Sequence, residues 1–153
     1  MREKYILALD LALSTTGATV FSNDAKIIEI LSVETKSEKT HQAKLNLIAN
    51  FLLNLKEKYS FEKIIFERGF YRFAASTQAC YKTCGVAQYI FWDIFQIFYP
   101  PMTVKKVVGG KGNMKKDALR EIIEKQYGVV FKNFDESDSC AVGLCYFKSE
   151  GII

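Results

Sequence analysis

A run of apolar residues ending on a carboxylate, Tyr5-Ile-Leu-Ala-Leu-Asp10, constrains this chain more than any other stretch. The run from Tyr5 to Leu9 is unbroken by polar side chains, which suits a strand buried on both faces. Ser14-Thr15-Thr16-Gly17 reads as a small-residue turn, Ala18 to Phe21 as a second strand, and Asn23-Asp24 as the next turn. A carboxylate at the edge of an apolar strand is costly to bury without a partner. Asp10 is therefore either a turn aspartate bonded to its own backbone or a metal ligand held on a rigid strand. The second reading needs partner acids elsewhere.

The chain's 153 residues suit one domain, 1–153, with a real core. A formal net charge of +4 fits a polyanionic partner without requiring one. No apolar run is free of charges for long enough to cross a membrane. The N-terminus carries Glu3 and enters a strand directly, so no signal peptide and a cytoplasmic location are expected. Cys80, Cys84, Cys140 and Cys145 are then reduced thiols. None has CxxC spacing, and His41, the single histidine, is far from them, which speaks against a zinc site or a cysteine–histidine nucleophile.

A third strand is expected over Lys26–Val33, completing a meander. A helix follows from His41 to Tyr59, with Leu45, Ile48, Leu52 and Leu55 on one side and Ser37 or Thr40 as its cap. Lys63 to Phe66 is another apolar strand, ending on Glu67, and Phe70-Tyr71-Arg72-Phe73 forms an aromatic, basic loop. Ser76 to Tyr99 reads as one long helix stopped by Pro100-Pro101. From Val86 to Phe98 it is apolar nearly all round, so one side should meet a second subunit. Met102 to Val108 is expected as a strand with Lys105 and Lys106 at polar positions, followed by the basic loop Gly109–Asn113. A helix over Met114–Tyr127 presents Ala118, Leu119, Ile122 and Ile123 to the core and ends at Gly128. After a brief extended piece, Val129–Phe131, and the acidic segment Asn133–Asp138, a last helix runs to about Lys148.

Acids thus recur at strand ends or a helix start: Asp10, Glu67, Asp135 and Asp138. Strand-ending acids project from one sheet edge, and a helix N-terminus docked there would add the aspartate pair. The pair also fits an ordinary helix-capping arrangement. Four oxygen ligands without histidine or cysteine suit Mg²⁺ or Mn²⁺. Two such ions can clamp the attacking and leaving oxygens of a phosphoryl transfer.

The order of elements, with Asp10, Glu67 and Asp135-Glu-Ser-Asp138, resembles the ribonuclease H-like fold, an α/β architecture with a mixed five-stranded sheet flanked by helices. Within it the chain resembles the RuvC-type Holliday-junction resolvases, particularly the bacteriophage-encoded kind, over about Tyr5–Phe147. Gly17 matches a turn glycine of that family, Gly85-Val86-Ala87 its long-helix motif, and Val104-Lys105 with Gly110-x-Gly112-x-x-x-Lys116 its basic strand and loop. The family's usual Asp-Pro-Gly is Asp10-Leu11-Ala12 here, so the first turn should differ.

The resemblance implies a metal-dependent endonuclease that nicks branched DNA as a homodimer. It implies that Asp10, Glu67, Asp135 and Asp138 hold two Mg²⁺, with Mn²⁺ as a substitute, and that Lys116 offsets charge near the scissile phosphate. Lys105, Lys106, Lys111 and Lys115 would contact backbone phosphates. Phe70 matches a phenylalanine that in the family contacts bases at the branch point; Tyr71 and Phe73 would either stack on unpaired bases or pack in the core, and Arg72 would be a further DNA-contact residue. If the chain is phage-encoded, its location is the host cytoplasm. Rival readings are a nuclease acting on RNA–DNA hybrids, a junction-binding protein without cleavage, and a sugar-kinase-type ATPase. The last joins two such domains and needs a longer chain.

Overall fold

The computed structural model describes residues 2–67 and 74–153, so Phe70, Tyr71, Arg72 and Phe73 lie outside the described residues. Five strands form one sheet in the order β3-β2-β1-β4-β5. They are β1 (Tyr5–Asp10), β2 (Thr15–Ser22), β3 (Ile27–Glu34), β4 (Phe61–Glu67) and β5 (Phe95–Tyr99). The first three make the antiparallel meander, while β4 and β5 run parallel to β1. The helices are α1 (His41–Lys58), α2 (Ala74–Ile90), α3 (Pro101–Gly109), α4 (Lys116–Tyr127) and α5 (Phe134–Ser149). The mixed five-stranded sheet flanked by helices expected from the sequence is the architecture found.

Strand β1 shows why the sheet sits in the middle. Ile6 and Ala8 join a core with Phe21, Ile65 and the buried residues of α3, α4 and α5. Leu7 and Leu9 join a second core with Val20, Ile64, Phe66 and the buried side of α1 and α2. Each apolar residue of the run therefore has a layer to bury against, which is what an unbroken apolar strand requires. Helix α1 begins where expected: the Thr40 hydroxyl accepts the Ala43 N–H at 3.2 Å, and Ile48, Leu52 and Leu55 are buried. On α4, Leu119 and Ile123 face the core while Ala118 is exposed, and Gly128 ends the helix with φ +66.

Between Ile90 and Gly109 the structure departs from the sequence reading. The long helix Ser76–Tyr99 is two elements: α2 ends at Ile90, a turn reverses the chain, and β5 follows. Strand β5 pairs with β4 from Lys63↔Phe95 to Glu67↔Tyr99. The short apolar run Phe95–Tyr99 has no periodicity that separates strand from helix. The two prolines are a start rather than a stop. Pro101 forces Pro100 into an extended conformation (φ −65, ψ 148), and its own fixed φ suits the first turn of α3. Lys105 and Lys106 are accordingly on a helix and not on the expected strand. Phe91 is fully buried, whereas Tyr81, Tyr89, Trp92 and Phe95 are each more than 60% exposed, at 71%, 79%, 76% and 65%.

The predicted Ser14–Gly17 turn is also displaced. Thr15 to Gly17 already belong to β2, and the turn is at residues 11–14, where the Thr16 hydroxyl donates to the Ala12 carbonyl at 2.9 Å. Two register shifts occur in the sheet, between Tyr5 and Ile6 opposite β4 and between Val20 and Phe21 opposite β3.

Two glycines hold α5 against the sheet. A Cβ on Gly17 would fall 2.0 Å from the Asp135 carbonyl oxygen, and one on Gly143 would fall 2.1 Å from the buried Phe21 ring. We expect Gly143→Ala to cost about 1–3 kcal/mol in chemical denaturation. Gly17→Ala should cost at least as much, because the obstructing atom is backbone and cannot swing aside. Either variant unfolding at the wild-type midpoint would show that α5 is not packed this closely.

Candidate active site

One transverse row of the sheet organises the site. Asp10 on β1 pairs with Gly17 on β2, and Gly17 pairs with Ser32 on β3. On the other side, Leu9 pairs with Phe66, so Asp10 and Glu67 stand side by side one step on, and Glu67 pairs with Tyr99. Side chains alternate along a strand. Asp10 therefore shares the face of Ile6 and Ala8, and Glu67 that of Ile65, which is the face covered by α5. The first turn of α5 crosses this row at Gly17. Asp135 and Asp138, three residues apart, lie on one side of that turn.

The five site residues predicted as catalytic sit in one another's electrostatic field. Asp10 binds its proton well above the usual carboxylate range, first because it is desolvated, then because Glu67, Asp138 and Asp135 are near. Glu67 is raised by burial and by Asp138, although a hydrogen bond with Asp10 and the charges of Lys116 and Lys105 work the other way. Asp135 is raised by burial and by Asp138. Lys116 Nζ donates to Asp138 Oδ2 at 2.9 Å. Desolvation pulls the Lys116 ammonium down, but that bond and the fields of Asp138, Asp10 and Glu67 outweigh it, and its net shift is upward.

Placement of the predicted DNA-contact lysines is uneven. Lys105 on α3 reaches the field of Glu67, while Lys106, Lys111 and Lys115 are exposed. The sequence reading missed the residues that seat α5. Its cap is neither aspartate: the side-chain amide oxygen of Asn133 accepts the Glu136 N–H at 2.9 Å. Asp135 and Asp138 are thus released from the capping role that competed with a ligand role. Glu136 is buried, and its carboxylate accepts from the Ser32 hydroxyl at 2.6 Å and the Lys132 N–H at 3.3 Å. The spacing Asn133-x-x-Glu136, one cap residue and an acid three later, was the available signal.

Four carboxylates and no nitrogen or sulfur ligand make a donor set for a hard divalent cation. The raised proton affinity of Asp10, Glu67 and Asp135 comes first from burial and then from neighbouring carboxylate charge, which Lys116 offsets only in part. Among the described residues, no three acids, histidines or cysteines are grouped so that they could hold a metal ion as they stand. In the geometry described, Asp10 and Glu67 lie close enough to shift each other's proton affinity, and Asp138 accepts a hydrogen bond from Lys116. The residues fit a divalent cation by charge and donor type.

The family model for crossover junction endodeoxyribonuclease RuvC matches residues 6–146, which contain the whole row and both aspartates of α5. The chain belongs to the RuvC family. A RuvC crossover junction endodeoxyribonuclease of Ehrlichia canis is 30% identical over 95% of this chain and 97% of its own length. The structure of T. thermophilus RuvC in complex with a Holliday junction substrate superposes with a TM-score of 0.83, covering 95% of this chain and 94% of that one. At 17% identity, that likeness establishes the RuvC fold alone. A sugar kinase fold from Cytophaga hutchinsonii matches 70% of this chain but 39% of its own, with a TM-score of 0.51. That likeness is to the fold alone, and the RuvC family model over residues 6–146 decides against the kinase reading. The RuvC relatives named are bacterial, so the leaning toward the bacteriophage-encoded kind finds no support in them.

The raised acids predict a pH dependence. Folded Asp10, Glu67 and Asp135 hold protons that the unfolded chain has released, so stability falls as pH rises through their folded pKa values. In EDTA, thermal stability should increase as pH is lowered from neutral toward the ordinary carboxylate range. Asp10→Asn should raise the melting temperature at pH 7 by about 2–4 °C, the shift made by ~1 kcal/mol in a chain of this size, and flatten the pH slope. A variant that melts no higher than wild type, with the same slope, would show that neither burial nor the neighbouring acids penalise the Asp10 charge.

Proposed function

We propose that this protein cleaves Holliday junctions and related branched DNA by paired nicks, as a metal-dependent homodimer formed of one nuclease domain, 1–153. The observation that carries this reading is the row Asp10–Glu67 with α5 laid across it, which concentrates four carboxylates beside one lysine. Asp10, Glu67, Asp135 and Asp138 are the residues that would hold two Mg²⁺, with Mn²⁺ able to replace it. When bound, such ions supply Lewis acidity toward a phosphate and a nucleophile derived from water.

The chain's own residues divide the remaining work. Lys116, bonded to Asp138, places a positive charge where a scissile phosphate approaches the acids and offsets its repulsion by them. Lys105, in the field of Glu67, extends that positive region along α3. Lys106, Lys111 and Lys115 are exposed and contact backbone phosphates, which fix the position of the DNA without reading its sequence. Phe70, Tyr71 and Arg72 begin three residues after Glu67 in the chain and meet unpaired bases at the branch point. The cytoplasm, where bacterial DNA lies, is the place for such an activity, and no helix among the described residues is long and apolar enough to cross a membrane.

Glu67→Gln keeps the size of the side chain and removes one anionic ligand. We expect it to abolish nicking of a labelled four-way junction in Mg²⁺, while gel-shift affinity in Ca²⁺ or EDTA stays equal or rises. A variant that nicks at the wild-type rate takes Glu67 out of the site. Wild-type protein that spares junctions and degrades the RNA strand of hybrids favours the ribonuclease reading. Binding without cleavage in any metal favours a junction-binding protein.

The dimer reading rests on the exposed aromatic surface at the end of α2 and the start of β5, Tyr89, Trp92 and Phe95. Scattered exposed apolar residues are ordinary, but adjoining large aromatics signal a protein interface. The double variant Tyr89→Ala/Trp92→Ala should sediment as a monomer at micromolar concentration where wild type sediments as a dimer. Two proteins of equal sedimentation coefficient would place the interface elsewhere.

A further inference from the structure

Glu136 stands between Asp135 and Asp138 in sequence, yet its carboxylate is buried against the sheet, 3% exposed. One of its oxygens accepts from the Ser32 hydroxyl at 2.6 Å and the other from the Lys132 N–H at 3.3 Å. Asn133 closes the circuit. Its amide nitrogen donates to Ser32 Oγ at 3.1 Å, and its amide oxygen accepts the Glu136 N–H at 2.9 Å. Burying a carboxylate is unfavourable unless its oxygens are bonded, and here every bond runs to the start of α5 or to β3.

Ser32 is the β3 member of the row that contains Gly17 and Asp10. The Glu136–Ser32 bond therefore ties the first turn of α5 to the same line of residues on which Asp10 stands. Gly17 cannot do this alone, because a glycine removes an obstacle without supplying a bond. One turn further into α5, Ser139 Oγ meets Thr19 Oγ1 at 2.8 Å and donates to the Glu136 carbonyl at 2.8 Å, which leaves the outer end of the helix to the Ser32 link. Each residue of a helix turns the side-chain direction by about 100°. A small rotation or slide of this first turn would move Asp135 and Asp138 together, relative to Asp10 and Glu67.

We propose that Glu136 is a positioning residue for the metal-binding acids: through Ser32 and Asn133 it sets the rotation and seat of α5 at which Asp135 and Asp138 meet Asp10 and Glu67. This rests on the metal-site reading given above. Its reach is that of a group supporting ligands from behind, for which loss typically costs 10- to 100-fold in metal affinity or activity.

The test compares Glu136→Ala, Glu136→Gln and Ser32→Ala in the whole protein. Mn²⁺ binding without DNA is read from the electron paramagnetic resonance signal of the free ion. Nicking of a four-way junction is followed with Mg²⁺ varied. We expect Glu136→Ala to weaken Mn²⁺ binding and lower kcat by about 10-fold or more, with the junction KM within twofold of wild type. Glu136→Gln, which keeps one accepting oxygen and the side-chain length, should recover most of both. Ser32→Ala should fall between, and the Glu136→Ala/Ser32→Ala double variant should be no worse than Glu136→Ala, since both break one link.

Wild-type Mn²⁺ binding and kcat in folded Glu136→Ala would overturn the proposal, as would a loss confined to KM. If Glu136→Ala fails to fold, Ser32→Ala decides by itself, because it deletes a single half-buried hydroxyl; unchanged Mn²⁺ binding there overturns the proposal. Wild-type protein that binds no Mn²⁺ removes the metal reading and this inference with it, whereas normal wild-type binding left unaltered by every variant removes this inference alone.

Discussion

The contact between the Asp135 carbonyl and the bare Cα of Gly17 decides where everything else in the site can be. It allows a helix N-terminus to come down on a sheet at a place where any other residue would hold it off. Two aspartates on that turn then reach two acids that the sheet has already brought together. The strands fix Asp10 and Glu67 by register, and the helix supplies the rest by approach. A site divided in this way depends on packing at one glycine as much as on its own charges.

Concentrating carboxylates works against folding. Asp10, Glu67 and Asp135 all hold protons more tightly than free carboxylates do, which measures that cost in chemical terms. The two apolar cores on either side of the sheet offset it, with Leu7, Leu9, Phe21, Phe66 and Phe147 among the fully buried side chains. Lys116 offsets it locally through Asp138. Stability and site chemistry are thus carried by different residues on the same strands, with apolar side chains behind and charged ones at the carboxyl end. Parallel strands β1 and β4 make this possible, since both end at the same edge of the sheet.

Much of this was readable in the sequence for a local reason. Strands β1 to β4, helix α1 and the C-terminal helices carry continuous apolar runs or three- and four-residue spacing, and acids at the ends of such runs are conspicuous. Residues 86–101 misled because aromatic and aliphatic side chains fill both the end of α2 and β5, and because a proline pair serves equally to stop one helix and to start another. Only pairing with β4 separates the two, and that pairing is not local. Ser32, Gly17 and Glu136 were illegible as a group for the same reason. Their relation is a row across three strands plus a helix, and nothing in the spacing of 17, 32 and 136 announces it. Gly17 was noticed, but as a turn residue, whereas it is a strand residue in contact with a distant carbonyl.

The register shift between β1 and β4 lies at Tyr5 and Ile6, the end of the pair away from the acids. Glu62 is the residue passed over there, between Phe61 opposite Tyr5 and Lys63 opposite Ile6. From Ile6 onward the two strands run in step to Leu9 and Phe66. Tolerance to changes in chain length is therefore graded along the sheet. At the amino end of β4 one residue is already absorbed without effect on the acids, so gain or loss of a residue there can be taken up by the irregularity. Between Lys63 and Phe66 a single inserted or deleted residue would turn Glu67 to the opposite face, beneath α1 and α2, because side chains alternate with a period of two. Evolutionary drift in loop length has one free margin in this molecule and one closed one, and the closed margin is where the carboxylates gather.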